Sequence, residues 1–263
     1  MSRNLNEMSR DCCGLEDTEA GGESILGVSE IMENKMIWRM LVAEFIGTLL
    51  LVFIGCGSII TLNGGDINIV QIGLTFGLVI ATIVQTICHI SGGHLNPAVT
   101  LSFFVTGDVK LIKAILYIVV QCIGAACGAA ILRAITPSDK QGNLGITNIN
   151  SGLEPIQGFI VEAILTFLLL IVIHGVCDSR RKDVKGSAPL AIGLAITSCH
   201  LAGIQYTGSS LNPARSFGPA VIMNLWPNHW IYWAGPIVGA VVAGLIYKFV
   251  FKYRKGESDS YDF

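Results

Sequence analysis

The tripeptide Asn-Pro-Ala occurs twice, within His94-Leu95-Asn96-Pro97-Ala98-Val99-Thr100 and within Ser210-Leu211-Asn212-Pro213-Ala214-Arg215-Ser216-Phe217-Gly218-Pro219. Asn is a favoured helix N-cap, and Pro is favoured at the first helical position because its missing N–H would be unsatisfied there anyway. Each tripeptide therefore predicts the start of a helix. The two helices, expected over Pro97 to Val105 and Pro213 to Met223, would be only about 13 to 17 Å long.

The surrounding sequence is apolar enough to lie in a membrane. Of 263 residues, 52% are hydrophobic and 14% are charged, whereas soluble proteins carry about a quarter charged residues. A spanning helix needs about 20 mostly apolar residues. Stretches without Asp, Glu, Lys or Arg run over 45–62, 67–107, 114–132, 163–177, 186–214 and 216–247. Some of them are too long for one crossing and too short for two.

The two halves of the chain repeat one another. The segment from Ala43 to Leu51 resembles that from Val161 to Leu169, and an Asn-Pro-Ala follows each at a similar distance. Three crossings per half make the second half enter from the opposite side, and such inverted repeats place their functional site near the midplane. We therefore predict an all-α membrane protein with six transmembrane helices and two re-entrant half-helices. The half-helices account for the over-long stretches.

The repeats define the predicted domain organisation. A single channel domain is expected over 36–252, with repeat one at 36–134 and repeat two at 155–252, between cytoplasmic tails at 1–35 and 253–263. The N-terminal tail is polar and we expect it to be disordered. Cys12 and Cys13 in this tail are candidates for acylation, but most such pairs are reduced thiols. Ser258 and Ser260 in the C-terminal tail are candidates for phosphorylation, but short acidic, serine-rich ends are usually only solvated termini.

The basic residues predict the orientation. With both termini in the cytoplasm, most Lys and Arg residues fall on that side and only two fall outside, as the positive-inside rule requires. The cytoplasmic set is Arg3, Arg10, Lys35, Arg39, Lys110, Lys113, Arg180, Arg181, Lys182, Lys185, Lys248, Lys252, Arg254 and Lys255. The net charge of −2 gives no indication of a nucleic-acid partner.

The two loops around the tripeptides resemble the signature loops of the aquaporin family, and the resemblance covers about residues 36 to 252. Leu95 stands where the first signature usually has Ile. The resemblance implies a passive water channel of the cell membrane that assembles as a homotetramer with one pore per subunit. It also implies an outer selectivity filter formed by Phe76, His200, Ser209 and Arg215.

The residue chemistry agrees with that implication. If each Asn carbonyl caps its own half-helix, the NH2 groups of Asn96 and Asn212 face the lumen as donors. A passing water can then only accept, which interrupts a proton wire, and the positive helix ends disfavour cations. We expect Arg215 and His200 to donate hydrogen bonds to water, and Phe76 and His200 to narrow the opening.

Two buried acids occupy equivalent repeat positions. We expect Glu44 and Glu162 to accept hydrogen bonds from free backbone N–H groups of the re-entrant loops and thus to brace them. A proton relay is the alternative, but no chain of ionisable groups links the two.

Several other functions remain to be weighed. Glycerol-conducting relatives commonly carry Asp after Asn-Pro-Ala-Arg and a small residue at the filter histidine, whereas this chain has Ser216 and His200. A broader channel that also passes glycerol or urea is the main alternative. A secondary transporter would need coupling groups at mid-depth, and a cation channel conflicts with Arg215 and the two Asn donors. We expect no enzymatic activity, cofactor or metal site.

Overall fold

The computed structural model describes residues 25–28, 31, 36–178 and 187–252. The candidate modification sites Cys12, Cys13, Ser258 and Ser260 lie outside these residues. So do the predicted C-terminal tail and the basic stretch at 180–182. Below, the end of the molecule that is predicted to face the cytoplasm is called the inner end, and the opposite end is called the outer end.

Six long helices and two short ones make up the described chain. They are α1 (Ile37–Gly57), α2 (Ile69–Ser91), α3 (Pro97–Thr106), α4 (Leu111–Ile135), α5 (Pro155–Val176), α6 (Ala188–Thr207), α7 (Pro213–Met223) and α8 (Ile231–Ile246). Helix α8 continues into a π-helical turn, Tyr247–Phe251, and a 3₁₀ turn spans Ser138–Lys140. The six long segments are 20 to 25 residues long and apolar enough to cross a membrane. The predicted fold class is confirmed.

The helices pack in pairs that correspond between the repeats. In repeat one α1 packs along α4, in repeat two α5 packs along α8, and α2 meets α6 between the repeats. Each half-helix docks mainly on the other repeat, with α3 against α8 and α7 against α4. The centre of the molecule is therefore built jointly by the two repeats.

Polarity is distributed as expected for a protein in lipid. Large apolar side chains such as Ile54, Leu78 and Ile164 are exposed on the outer surface of the bundle, whereas Glu44 and Glu162 are fully buried. Backbone and charged groups cannot be satisfied by lipid, so they must find partners inside the protein. The interior, not the surface, therefore carries the polar chemistry.

Close helix contacts depend on small residues. A Cβ on Gly124 or Gly128 of α4 would meet the carbonyl oxygens of Phe45 and Leu49 on α1. Gly239 of α8 approaches the Ala163 carbonyl of α5 in the same way, and Gly77 of α2 approaches the Gly193 carbonyl of α6. These small-residue pairs let helix backbones touch within the subunit.

We expect Gly128→Ala to lower the free energy of unfolding by about 1 to 3 kcal/mol, because the added methyl group overlaps the backbone of α1. Gly57→Ala is the matched control, since a Cβ there would lie at an ordinary 3.6 Å from Leu132. The measurement is the fraction of detergent-purified protein that stays monodisperse after heating, read by size-exclusion chromatography. Equal losses in the two variants would contradict this account of the α1–α4 contact.

Candidate functional site

The two Asn-Pro-Ala asparagines cap the half-helices with their side chains. Asn96 Oδ1 accepts from Ala98 N at 2.8 Å. Asn212 Oδ1 accepts from Ala214 N at 2.9 Å and from Arg215 N at 3.3 Å. Both asparagines have extended backbone and are followed by Pro at the start of the helix. Asn96 thus satisfies one orphan N–H group of its first turn, and Asn212 satisfies two.

Each asparagine also reaches across to the opposite loop. Asn96 Nδ2 donates to Leu211 O, and Asn212 Nδ2 donates to Leu95 O, both at 2.8 Å. Leu95 and Leu211 have left-handed backbone with φ of 54° and 55°, a conformation that is costly for such residues. We call this pair of bonds the asparagine cross-brace. It leaves one hydrogen on each amide for the lumen, where the sequence had suggested the whole NH2 group.

The residues that accept in the cross-brace escaped the sequence analysis. A backbone carbonyl carries no side-chain signature, so neither Leu95 nor Leu211 stood out as a functional residue. The available signal was the repetition of Leu-Asn-Pro-Ala as four residues instead of three.

Glu44 holds the first re-entrant loop. Its Oε1 accepts from His94 N at 2.9 Å and from Ser91 Oγ at 2.7 Å. Its Oε2 accepts from Leu95 N at 2.7 Å and from Gln121 Nε2 at 2.8 Å. The loop N–H groups of His94 and Leu95 therefore both donate to one carboxylate.

Glu162 holds the second loop in an equivalent way. Its Oε1 accepts from Thr207 Oγ1 at 2.6 Å and from Ser210 N at 2.9 Å, and its Oε2 accepts from Leu211 N at 2.9 Å. The symmetry extends further, because Tyr117 donates to Ser91 O and Tyr232 donates to Thr207 O. Ser91, Thr207, Gln121 and the two tyrosines were not identified from sequence.

A lumen runs through the molecule past both asparagines. One wall consists of apolar side chains, and the other carries polar groups of the re-entrant loops. The apolar wall includes Ile80, Val84, Leu169, Ile173, Ile192 and Ile196, and the polar wall includes His94, Asn96, Ser210, Asn212 and the Gly92-Gly93 backbone. Between the two asparagines and the inner end, such a lining offers hydrogen-bond partners mainly from the re-entrant loops.

Three of the four predicted filter residues meet at the outer end of the lumen. The rings of Phe76 and His200 stack at 4.5 Å between centroids, and the Arg215 guanidinium lies 5.0 Å from the Phe76 centroid. Ser209 is not among the described residues that line the lumen. Its hydroxyl donates to Cys199 O at 3.3 Å, so the side chain points toward α6.

The hydrogen bond of His200 determines what it offers to the lumen. Its Nδ1 lies 3.0 Å from Ile196 O, and a carbonyl can only accept, so Nδ1 carries the proton. In the neutral ring Nε2 is then an acceptor, and it has no partner among the described residues. In this tautomer of the neutral ring the free Nε2 is an acceptor, whereas the sequence led us to predict that His200 donates to water.

Arg215 supplies hydrogen-bond donors next to Phe76. It is 2% exposed, its Nη1 donates to Gly145 O at 2.6 Å, and its Nε has no partner among the described residues. A buried donor without a partner costs free energy, so the described residues satisfy the guanidinium only in part. Gly145 lies in the loop between α4 and α5, to which sequence reasoning assigned no role.

The comparisons with known proteins agree with this architecture. The family model described as Major intrinsic protein matches residues 31–247. The chain belongs to the major intrinsic protein family. Among major intrinsic proteins it is 48% identical to Aquaporin-4 of Mus musculus over 233 residues, which cover 87% of this chain and 72% of that protein. It is also 48% identical to Aquaporin-5 of Sus scrofa over 206 residues, or 78% of each chain.

A further major intrinsic protein and a solved structure extend the comparison. The lens fiber major intrinsic protein of Lithobates pipiens is 45% identical over 223 residues, covering 84% of this chain and 85% of that one. The X-ray structure of the aquaglyceroporin from Plasmodium falciparum has a TM-score of 0.73 at 25% identity, covering 82% of this chain and 97% of that chain. The predicted family resemblance is confirmed.

We expect Glu162→Gln to lower the free energy of unfolding by about 1 to 3 kcal/mol, because an amide NH2 cannot accept and leaves buried loop donors unpaired. The control is Glu154→Gln, at the exposed N-cap of α5. Thermal unfolding in detergent, followed by intrinsic fluorescence, measures the difference. A wild-type melting temperature for Glu162→Gln would show that the carboxylate is not needed to hold the loop.

Proposed function

We propose that this chain is a passive, water-selective channel of the cell membrane. The observation that carries the proposal is the asparagine cross-brace, which presents one N–H from Asn96 and one from Asn212 at the meeting point of two half-helices. Family membership and the similarity to proteins named as aquaporins support the same function.

The cross-brace gives a mechanism for passing water without protons. A water beside the two asparagines accepts from their N–H groups, so both of its own hydrogens point away along the file. The direction of hydrogen bonding reverses at that point, and no continuous wire for protons runs through it. The positive ends of α3 and α7 meet there and disfavour hydronium and metal cations.

The outer filter complements this central site. Water donates to His200 Nε2 and accepts from Arg215, while Phe76 closes the apolar side. A molecule that can both donate and accept across a narrow gap satisfies the His200 acceptor and the Arg215 donor at once. Ser209 is assigned to the ring by the family resemblance alone, since its hydroxyl donates to Cys199 O.

Water is favoured over glycerol as the permeant. Ser216 follows Arg215 where glycerol-conducting relatives commonly carry Asp, and His200 occupies a position where they have a small residue. The aquaglyceroporin structure shares the fold, and the larger side chain at the filter separates the two specificities.

Assembly and placement follow from the same proposal. We infer a homotetramer in the cell membrane with one pore in each subunit and both termini in the cytoplasm. The channel domain covers 36–252, with tails at 1–35 and 253–263. No catalytic step, cofactor or metal is involved in this function, since permeation changes no covalent bond.

The test is stopped-flow shrinkage of vesicles that contain the purified protein. We expect rapid water flux with a weak temperature dependence and no proton leak. Ile192→Trp fills the lumen and should reduce the flux to that of empty vesicles. Leu194→Trp, on the lipid-exposed face of the same helix, is the matched control and should leave it unchanged. Wild-type flux no higher than that of empty vesicles would refute the proposal.

The filter assignment predicts that His200→Ala admits glycerol and urea, because a bulky ring that narrows the constriction is removed. Solute uptake is measured by light scattering in the same vesicles, at matched protein content. His229→Ala is the control, since His229 contacts Trp226 and Trp233 outside the lumen. If solute exclusion survives in His200→Ala, His200 does not determine the selectivity.

A further inference from the structure

Three buried hydroxyl groups form a continuous chain behind the filter. Thr147 Oγ1 lies 2.7 Å from Ser216 Oγ, which lies 2.6 Å from Ser210 Oγ. Ser210 Oγ in turn lies 2.9 Å from Asn212 O. All three residues are at most 3% exposed. The chain connects the outer loop, the first turn of α7 and the cap of the second half-helix.

The last atom of the chain gives it a direction. Asn212 O can only accept, and it also accepts from Ser216 N at 3.2 Å. Ser210 Oγ donates its single hydrogen to that carbonyl, and each of the other hydroxyls also has one hydrogen. Ser216 must therefore donate to Ser210, and Thr147 must donate to Ser216. Every proton in the chain then has an acceptor, as buried polar groups require.

The loop that carries Thr147 also holds the filter arginine. Gly145, two residues earlier, supplies the carbonyl that accepts from Arg215 Nη1. Gly145 has φ of +76°, and a Cβ there would lie 3.1 Å from Cys56 Cβ, so the backbone is pressed against α1. Asn150 N donates to Tyr206 O at 2.8 Å and fixes the loop to the end of α6.

We propose that Thr147, Ser216 and Ser210 are positioning residues that set the selectivity of the channel through Arg215. This inference rests on the proposed function. The hydroxyl chain holds the loop at a fixed distance from the α7 turn that bears Arg215, and the same loop fixes the guanidinium through Gly145. Loss of the hydroxyl of Thr147 or Ser216, neither of which lines the lumen, lets the loop and the guanidinium move away together and widens the filter.

The experiment compares Thr147→Val, which removes the hydroxyl at nearly constant volume, with Thr147→Ser, which keeps it. We expect the ratio of glycerol to water permeability to rise roughly threefold to tenfold in Thr147→Val, the effect of losing about one hydrogen bond. Thr147→Ser should keep the wild-type ratio. Ser216→Ala breaks the chain at its centre and should match Thr147→Val, and the double variant should exceed neither. Arg215→Val gives the reference for a filter without its cation.

A second readout on the same samples does not depend on conduction. Hydrogen exchange of the amides at 143–150 should be faster in Thr147→Val and Ser216→Ala and unchanged in Thr147→Ser. A wild-type ratio or wild-type exchange in both hydroxyl-free variants would overturn the inference. So would additive effects in the double variant, or a Thr147→Ser protein that behaves as Thr147→Val. If wild-type vesicles conduct no water, the proposed function fails, and the exchange data alone decide whether the chain fixes the loop.

Discussion

A helix that ends in the middle of a bilayer exposes backbone groups that lipid cannot hydrogen-bond, each at a cost of several kcal/mol. Two such helices end at the centre of this molecule. The structure satisfies their first turns with Asn96 and Asn212, and satisfies the loops before them with Glu44 and Glu162. Everything that gives the site its chemistry follows from these four side chains, because they allow irregular backbone to persist at that depth.

The same bonds explain why the lumen has two unlike walls. The loop backbone must lie next to the helices that carry the carboxylates, so its polar groups collect on one side. The lumen-lining side chains of the long helices are mostly apolar, such as Val84 of α2 and Ile192 of α6. A permeant therefore meets a narrow line of partners and otherwise apolar surface, which favours small molecules that bind weakly and leave readily.

Sequence reasoning was most successful where a side chain alone carries the information. The charge-free stretches, the duplicated tripeptide and the register of Glu44 with Glu162 were sufficient to predict the fold and its inverted repeats. The family resemblance implied that Phe76, His200 and Arg215 lie together, and the structure brings the three side chains into contact. Sequence reasoning failed where backbone atoms or hydrogen positions decide. The carbonyls of Leu95, Leu211 and Gly145 have no signature, and the direction of the His200 hydrogen bond depends on a turn of α6. The direction of the Ser209 side chain, toward α6, likewise depends on local backbone geometry, since Ser209 has a φ of 50°.

The asparagine cross-brace has a consequence for how the chain is made. Leu211 lies 115 positions after Asn96 in the chain, and Asn212 lies 117 positions after Leu95. When the first half emerges from the ribosome, Glu44 can already accept hydrogen bonds from its loop. The Asn96 amide has no acceptor in the opposite loop until the second half has entered the bilayer. Half-helix α3 likewise lacks its main support, α8, until the last crossing is inserted. Biogenesis must therefore keep an incomplete first half in a polar or protein-shielded setting, and the pore closes around its axis only when the final helix arrives.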